Sequence, residues 1–123
     1  METIPYVSNG RFMIATNRDV LELMKPVWKG LTKQDQQRKN LWLLGLDLNH
    51  SLILFKLIAQ GELHRNTVDP LSIFTPALMH GCHNLILVHN STEGDLQPTD
   101  QEIILTEYLQ MEAALRGLQV IDP

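Results

Sequence analysis

A single cysteine, Cys82, among 123 residues excludes a disulfide framework within the chain, and one thiol cannot build a zinc knuckle. Long apolar runs are missing too, since none approaches the roughly 18 to 20 residues that a membrane span needs. The opening Met1-Glu2-Thr3-Ile4-Pro5 has neither the basic start nor the apolar stretch of a signal peptide. A cytoplasmic location with a reducing environment is the expectation. A basic excess is likewise lacking: the formal net charge is -4, which argues against wholesale binding to a polyanion. There is no internal repeat and no low-complexity tract.

What is present suits one globular domain. With 44% hydrophobic and 20% charged residues, a chain of this length buries enough surface to hold a core without staples. The expectation is a single domain over residues 1–123, of which 1–13 form an N-terminal arm. Charge is unevenly spread, with seven of the ten basic residues in positions 11–39 against three acids. Positions 91–123 hold seven acids against Arg116 alone. The molecule should therefore have a basic end and an acidic end, two solvated faces or, at the basic end, a nucleic-acid patch.

Punctuation divides the chain into elements. Thr16 can cap a helix whose stripe is Val20, Leu23, Met24, Val27, Trp28 and Leu31, with Pro26 expected to kink or split it. A polar connector leads to the nearly continuous apolar run 41–48, which reads as a buried strand. Asn49-His50 suggests a two-residue turn into a second strand over 51–60. Asp69-Pro70 is a helix start and Gly81 a stop, with Ile73, Phe74, Ala77 and Leu78 as the apolar face. Leu85-Ile86-Leu87-Val88 is a short strand feeding the polar loop that begins at His89. Thr99 with Glu102 has the form of a capping box for a last helix, whose apolar face is assigned to Ile104, Tyr108, Met111 and Leu115. Gly117 ends that helix before a final strand over 118–121. This order predicts an α/β domain with a mixed sheet flanked by helices.

The same residues carry a family resemblance. Asp19-Val20-Leu21-Glu22-Leu23-Met24-Lys25-Pro26, then Leu46-Asp47, then Val68-Asp69-Pro70, and above all Leu87-Val88-His89-Asn90 through Gly94-Asp95, Pro98-Thr99, Ile103 and Leu105-Thr106 occur in order with fitting spacing. The chain resembles the RadC-like branch of the JAB/MPN (JAMM) metallopeptidases from about Ile14 to Asp122. The resemblance implies a JAB/MPN-like, cytidine deaminase-like fold. It also implies zinc held by two His and a carboxylate, a Glu as general base and a Ser at the oxyanion.

Carried over by position, the first His is His89, but the second falls on Ser91. The ligand carboxylate falls on Glu102, the oxyanion Ser on Thr99, and the base on Lys56 or its neighbour Leu57. A lysine there repels zinc and cannot accept a proton while charged. Glu93 and Asp95 are candidate binding residues in the loop, and with Asp100 and His83 they are the donors from which a relocated metal site could be built. The structural alternative for Thr99 and Glu102 is the helix cap, and for His89 a bond to backbone or loop. Lys56, a cation in an apolar strand, is expected to pair with Glu102 or Glu93. Cys82 reads as a buried small hydrophobe, and His50, His64 and His80 as surface or turn residues.

The preferred reading is a JAB domain that has lost most of its zinc-hydrolase apparatus and acts as a binding or interaction module, leaning away from an enzyme. No cofactor is then expected, with zinc expected only if the family site is retained. The alternatives are a metal-dependent peptidase or isopeptidase with altered ligands, and a DNA-repair-associated accessory protein in line with the family's traditional description. The expected partner is a protein or peptide. A homodimer through the final strand is also expected, because the family follows that stretch with further strand residues.

Overall fold

The computed structural model describes residues 12–61, 63, 68–90 and 99–121. Four strands form one sheet in the order β2-β1-β3-β4, where β1 is Asn40–Leu46, β2 Leu52–Gln60, β3 Asn84–His89 and β4 Gln119–Val120. Strand β1 pairs antiparallel with β2 on one side and β3 on the other, while β4 runs parallel to β3. A strand flanked on both edges and covered on both faces must be apolar throughout, which explains why every residue of Asn40–Leu46 is buried. The mixed α/β architecture is the one the order of elements predicts.

Side chains alternate across the sheet and feed two cores. Leu41, Leu43, Leu54 and Leu85 face helices α3, Pro70–Met79, and α4, Asp100–Leu115. Trp42, Leu44, Leu46, Phe55 and Ile86 pack with the Val20 and Leu23 stripe of α1, Asn17–Gly30. Helix α1 runs through Pro26 as one element instead of dividing there. Its start is fixed by Asp19, whose carboxylate accepts from the Ala15 and Thr16 amides at 2.8 and 3.1 Å. Gly45 sits where the first core is tightest. A Cβ there would collide with Cys82 Sγ and lie 3.0 Å from Leu54 Cβ.

Several expectations need correction. The connector between α1 and β1 contains a short helix α2, Lys33–Gln36, started by Thr32 Oγ1 accepting from Asp35 N at 3.1 Å. The β1–β2 turn is organised by Asp47, not by a two-residue Asn49-His50 turn. Asp47 Oδ1 accepts from Asn49 N and Ser51 N, each at 2.9 Å, and His50 takes a left-handed φ of 63°. The buried face of α4 is Leu105, Leu109 and Ala113, whereas Ile104, Met111 and Leu115 are exposed. Apolar residues lie all round that helix, so periodicity alone could not choose its face. On α3, Ile73, Phe74 and Ala77 are buried and Leu78 is exposed.

Candidate functional site

The carboxy-terminal end of β3, the first residues of β1 and the first turn of α4 meet at one end of the sheet's strands. Asn40, wholly buried, anchors the entry to β1. Its Nδ2 donates to the carbonyls of Asp35 and Arg38 at 2.9 and 3.1 Å, and its Oδ1 accepts from Gln60 Nε2 at 2.9 Å. Its backbone amide donates to Asn90 Oδ1 at 2.7 Å, while Asn90 Nδ2 donates to Arg38 O at 2.8 Å. A fully satisfied polar network of this kind is rigid. It holds Lys39 between two fixed neighbours, with the Lys39 carbonyl accepting from Gly61 N at 2.8 Å.

From that position the Lys39 ammonium donates to Glu102 Oε1. The second oxygen, Oε2, lies 3.3 Å from His89 Nε2, and His89 is placed by its pairing with Leu41 across β1 and β3. Glu102 is carried in the first turn of α4, where Thr99 Oγ1 caps the helix by accepting from Glu102 N at 3.2 Å. The Glu102 side chain is only 11% exposed. Burial pushes its carboxyl up, but the hydrogen bond and charge of Lys39, with help from His89 and Thr99, outweigh it and hold the group below its ordinary 4.5. Glu102 is therefore an anion bound to a cation of its own chain.

A profile of the RadC-like JAB domain matches residues 14–123. The chain belongs to the RadC-like JAB domain family. It is 28% identical over 117 residues to a UPF0758 protein of Methanosarcina mazei, covering 95% of this chain and 49% of that protein. It is 33% identical over 109 residues to a UPF0758 protein of Methanococcoides burtonii, covering 89% of this chain and 45% of that protein. With a UPF0758 protein of Finegoldia magna the identity is 34% over 84 residues, 68% of this chain and 38% of the other. The chain spans about half the length of the curated relatives it matches.

Among the described residues, the donor set of this RadC-like domain does not fit the zinc associated with JAB domains. His89 and Glu102 are brought together as the resemblance implies, but a lysine ammonium occupies the carboxylate that zinc would use, and like charges repel. Among the described residues no group of three or more His, Cys, Asp or Glu is arranged to hold a metal ion. Lys56 stands in β2 opposite Leu43, half-buried, and is not the cation that meets Glu102. Thr99 serves as the cap. Ser91, Glu93 and Asp95 lie outside the described residues. Asp100 is exposed at the start of α4, and His83 is exposed just before β3.

Sequence reasoning missed Lys39 and the Asn40–Asn90 pair. Arg38-Lys39 reads as the end of a solvated basic connector, and only the β1–β3 pairing brings it to the loop histidine. Cys82 is buried as expected, with its thiol pushed up to about 11 by burial and by the charge of Asp47. His80 is exposed at the end of α3, His50 sits in the β1–β2 turn, and His64 lies outside the described residues. No helix among the described residues is long and apolar enough to cross a membrane.

Proposed function

We propose that this RadC-like JAB domain works as a protein- or peptide-binding module and not as a zinc hydrolase. The observation that carries the reading is the Lys39 ammonium on Glu102. A hydrolase of this class needs that carboxylate on the metal and a nearby base to take a proton from water. Here the carboxylate is neutralised by a lysine, and the position the resemblance assigns to the base is Lys56 or its neighbour Leu57, of which the charged ammonium has no lone pair to accept with and the leucine no polar atom. The runner-up, a metallopeptidase of altered ligation, draws on the 3.3 Å approach of His89 to Glu102, two donors that zinc accepts.

Elemental analysis of protein purified without chelator separates the two. The expected result is zinc far below one per chain, before and after incubation with zinc and desalting. Stoichiometric zinc that is lost in Glu102→Gln and His89→Ala would overturn the binding-module reading and establish the altered metal site.

A further inference from the structure

The stripe that periodicity assigns to the buried face of α4 is the one the fold turns outward. Ile104, Tyr108, Met111 and Leu115 step by four, three and four residues, the alternation of a two-heptad seam on one helix face. The core takes Leu105, Leu109 and Ala113 instead. Ile104, Met111 and Leu115 are 52, 62 and 76% exposed, and the half-buried Tyr108 packs against the core beneath. An exposed apolar line in this spacing is the seam that one helix offers to another. Charge beside the seam chooses the occupant. Helix α4 carries Asp100, Glu102, Glu107 and Glu112 and no Lys or Arg. With Ile104 and Met111 at d positions of the heptad, Asp100 and Glu107 fall at g and Glu112 at e. Arg116 is engaged by Glu112 at 3.4 Å and lies over the Phe74 ring, and no ion pair among the described residues holds Asp100 or Glu107.

We propose that the outer face of α4 docks an amphipathic helix of another protein, one whose apolar seam is flanked by Lys or Arg. The proposal names the partner class for the binding-module reading and rests on it. Apolar anchors of the partner cover Ile104, Met111 and Leu115, while its basic e and g side chains meet Asp100 and Glu107. A second copy is the wrong occupant in either direction. Parallel pairing of two α4 helices sets Glu107 at g against Glu112 at e, and antiparallel pairing sets the Asp100 and Glu107 flank against itself.

The probe is a fluorescein-labelled peptide of three Lys-Leu-Ala-Ala-Leu-Lys-Gln repeats, with Leu at a and d and Lys at e and g, whose like charges oppose its own self-pairing. Fluorescence anisotropy at low salt should show saturable binding at or below about 1 mM, in the range of weak peptide recognition. Met111→Ser with Leu115→Ser, both at exposed positions that spare the core, should weaken it about tenfold or more. Glu107→Lys should weaken it about fivefold. Leu48→Ser, at a similarly exposed leucine of the β1–β2 turn, should leave it unchanged. A peptide with every Lys replaced by Glu should bind at least about tenfold more weakly, and Pro in the middle repeat should abolish binding. Binding that survives the Met111 and Leu115 changes, that Glu107→Lys leaves intact, that Leu48→Ser weakens equally, or that the Glu or Pro peptide matches overturns the proposal. So does no binding, or a dimer in light scattering that the Met111 and Leu115 changes dissociate. Zinc content reports separately on the reading beneath it: a zinc-loaded protein that still binds the peptide refutes the non-hydrolase reading alone, and a zinc-free protein that does not bind refutes the helix docking alone.

Discussion

At the scale of single residues, the most consequential feature is that Lys39 and Glu102 are 63 positions apart in sequence and touching in space. Because Glu102 is held below its ordinary 4.5, its ionised form stabilises the fold; that contribution is full above 4.5 and is lost as pH falls through the lowered folded value. Lys39→Met leaves the carboxylate buried without its cation, so Glu102 should titrate above its ordinary value and stability at neutral pH should drop by about 1 to 3 kcal/mol. Urea melts of both proteins from neutral pH down into the acid range check this, since the difference should shrink as pH falls through the lowered folded value and the wild-type carboxylate takes up its proton. Cys82 supports a second expectation. With its thiol pushed up to about 11 and its side chain buried, it should resist iodoacetamide in the folded protein and react promptly in urea. Fast labelling of the native chain at about pH 8 would show that the thiol is reached without unfolding.

Elements are where sequence signals were most and least reliable, and the difference is physical. Caps are local chemistry, so Asp69 before Pro70 and Thr99 before α4 were legible: the Asp69 carboxylate accepts from Leu71 N at 3.1 Å, and Thr99 Oγ1 from Glu102 N at 3.2 Å. Gly117, at a φ of 75°, closes α4 where a side chain would be strained. The face of α4 was not legible. Ile103, Ile104 and Leu105 are consecutive, and the sheet, with α3 beside it, selects Leu105 and the small Ala113 as the contact stripe. Thr99→Ala should cost about 1 kcal/mol of stability as a lost cap, with Thr99→Ser close to neutral. Chemical denaturation of the two variants side by side distinguishes a cap from a catalytic hydroxyl, which stability would not register.

For the molecule as a whole, the two-core sandwich of helices around β1 stands on apolar burial, and the site at one end of its strands is closed by an internal ion pair. A ligand that binds only the folded state raises the unfolding midpoint. Zinc and EDTA should therefore leave the thermal midpoint unchanged, and a rise with added zinc that is reversed by EDTA would reveal a metal site. The sequence by itself determined the element order, the buried central strand, the helix starts and the family, because these depend on residue type and on neighbours a few positions away. The family resemblance also implied that His89 and Glu102 belong to one site. Only the tertiary structure decided what that pair does. Sheet pairing carries Lys39 to Glu102 and Asn90 to Asn40. Contacts of that kind join distant segments through backbone register, and register depends on how the strands assemble rather than on the composition of any one of them.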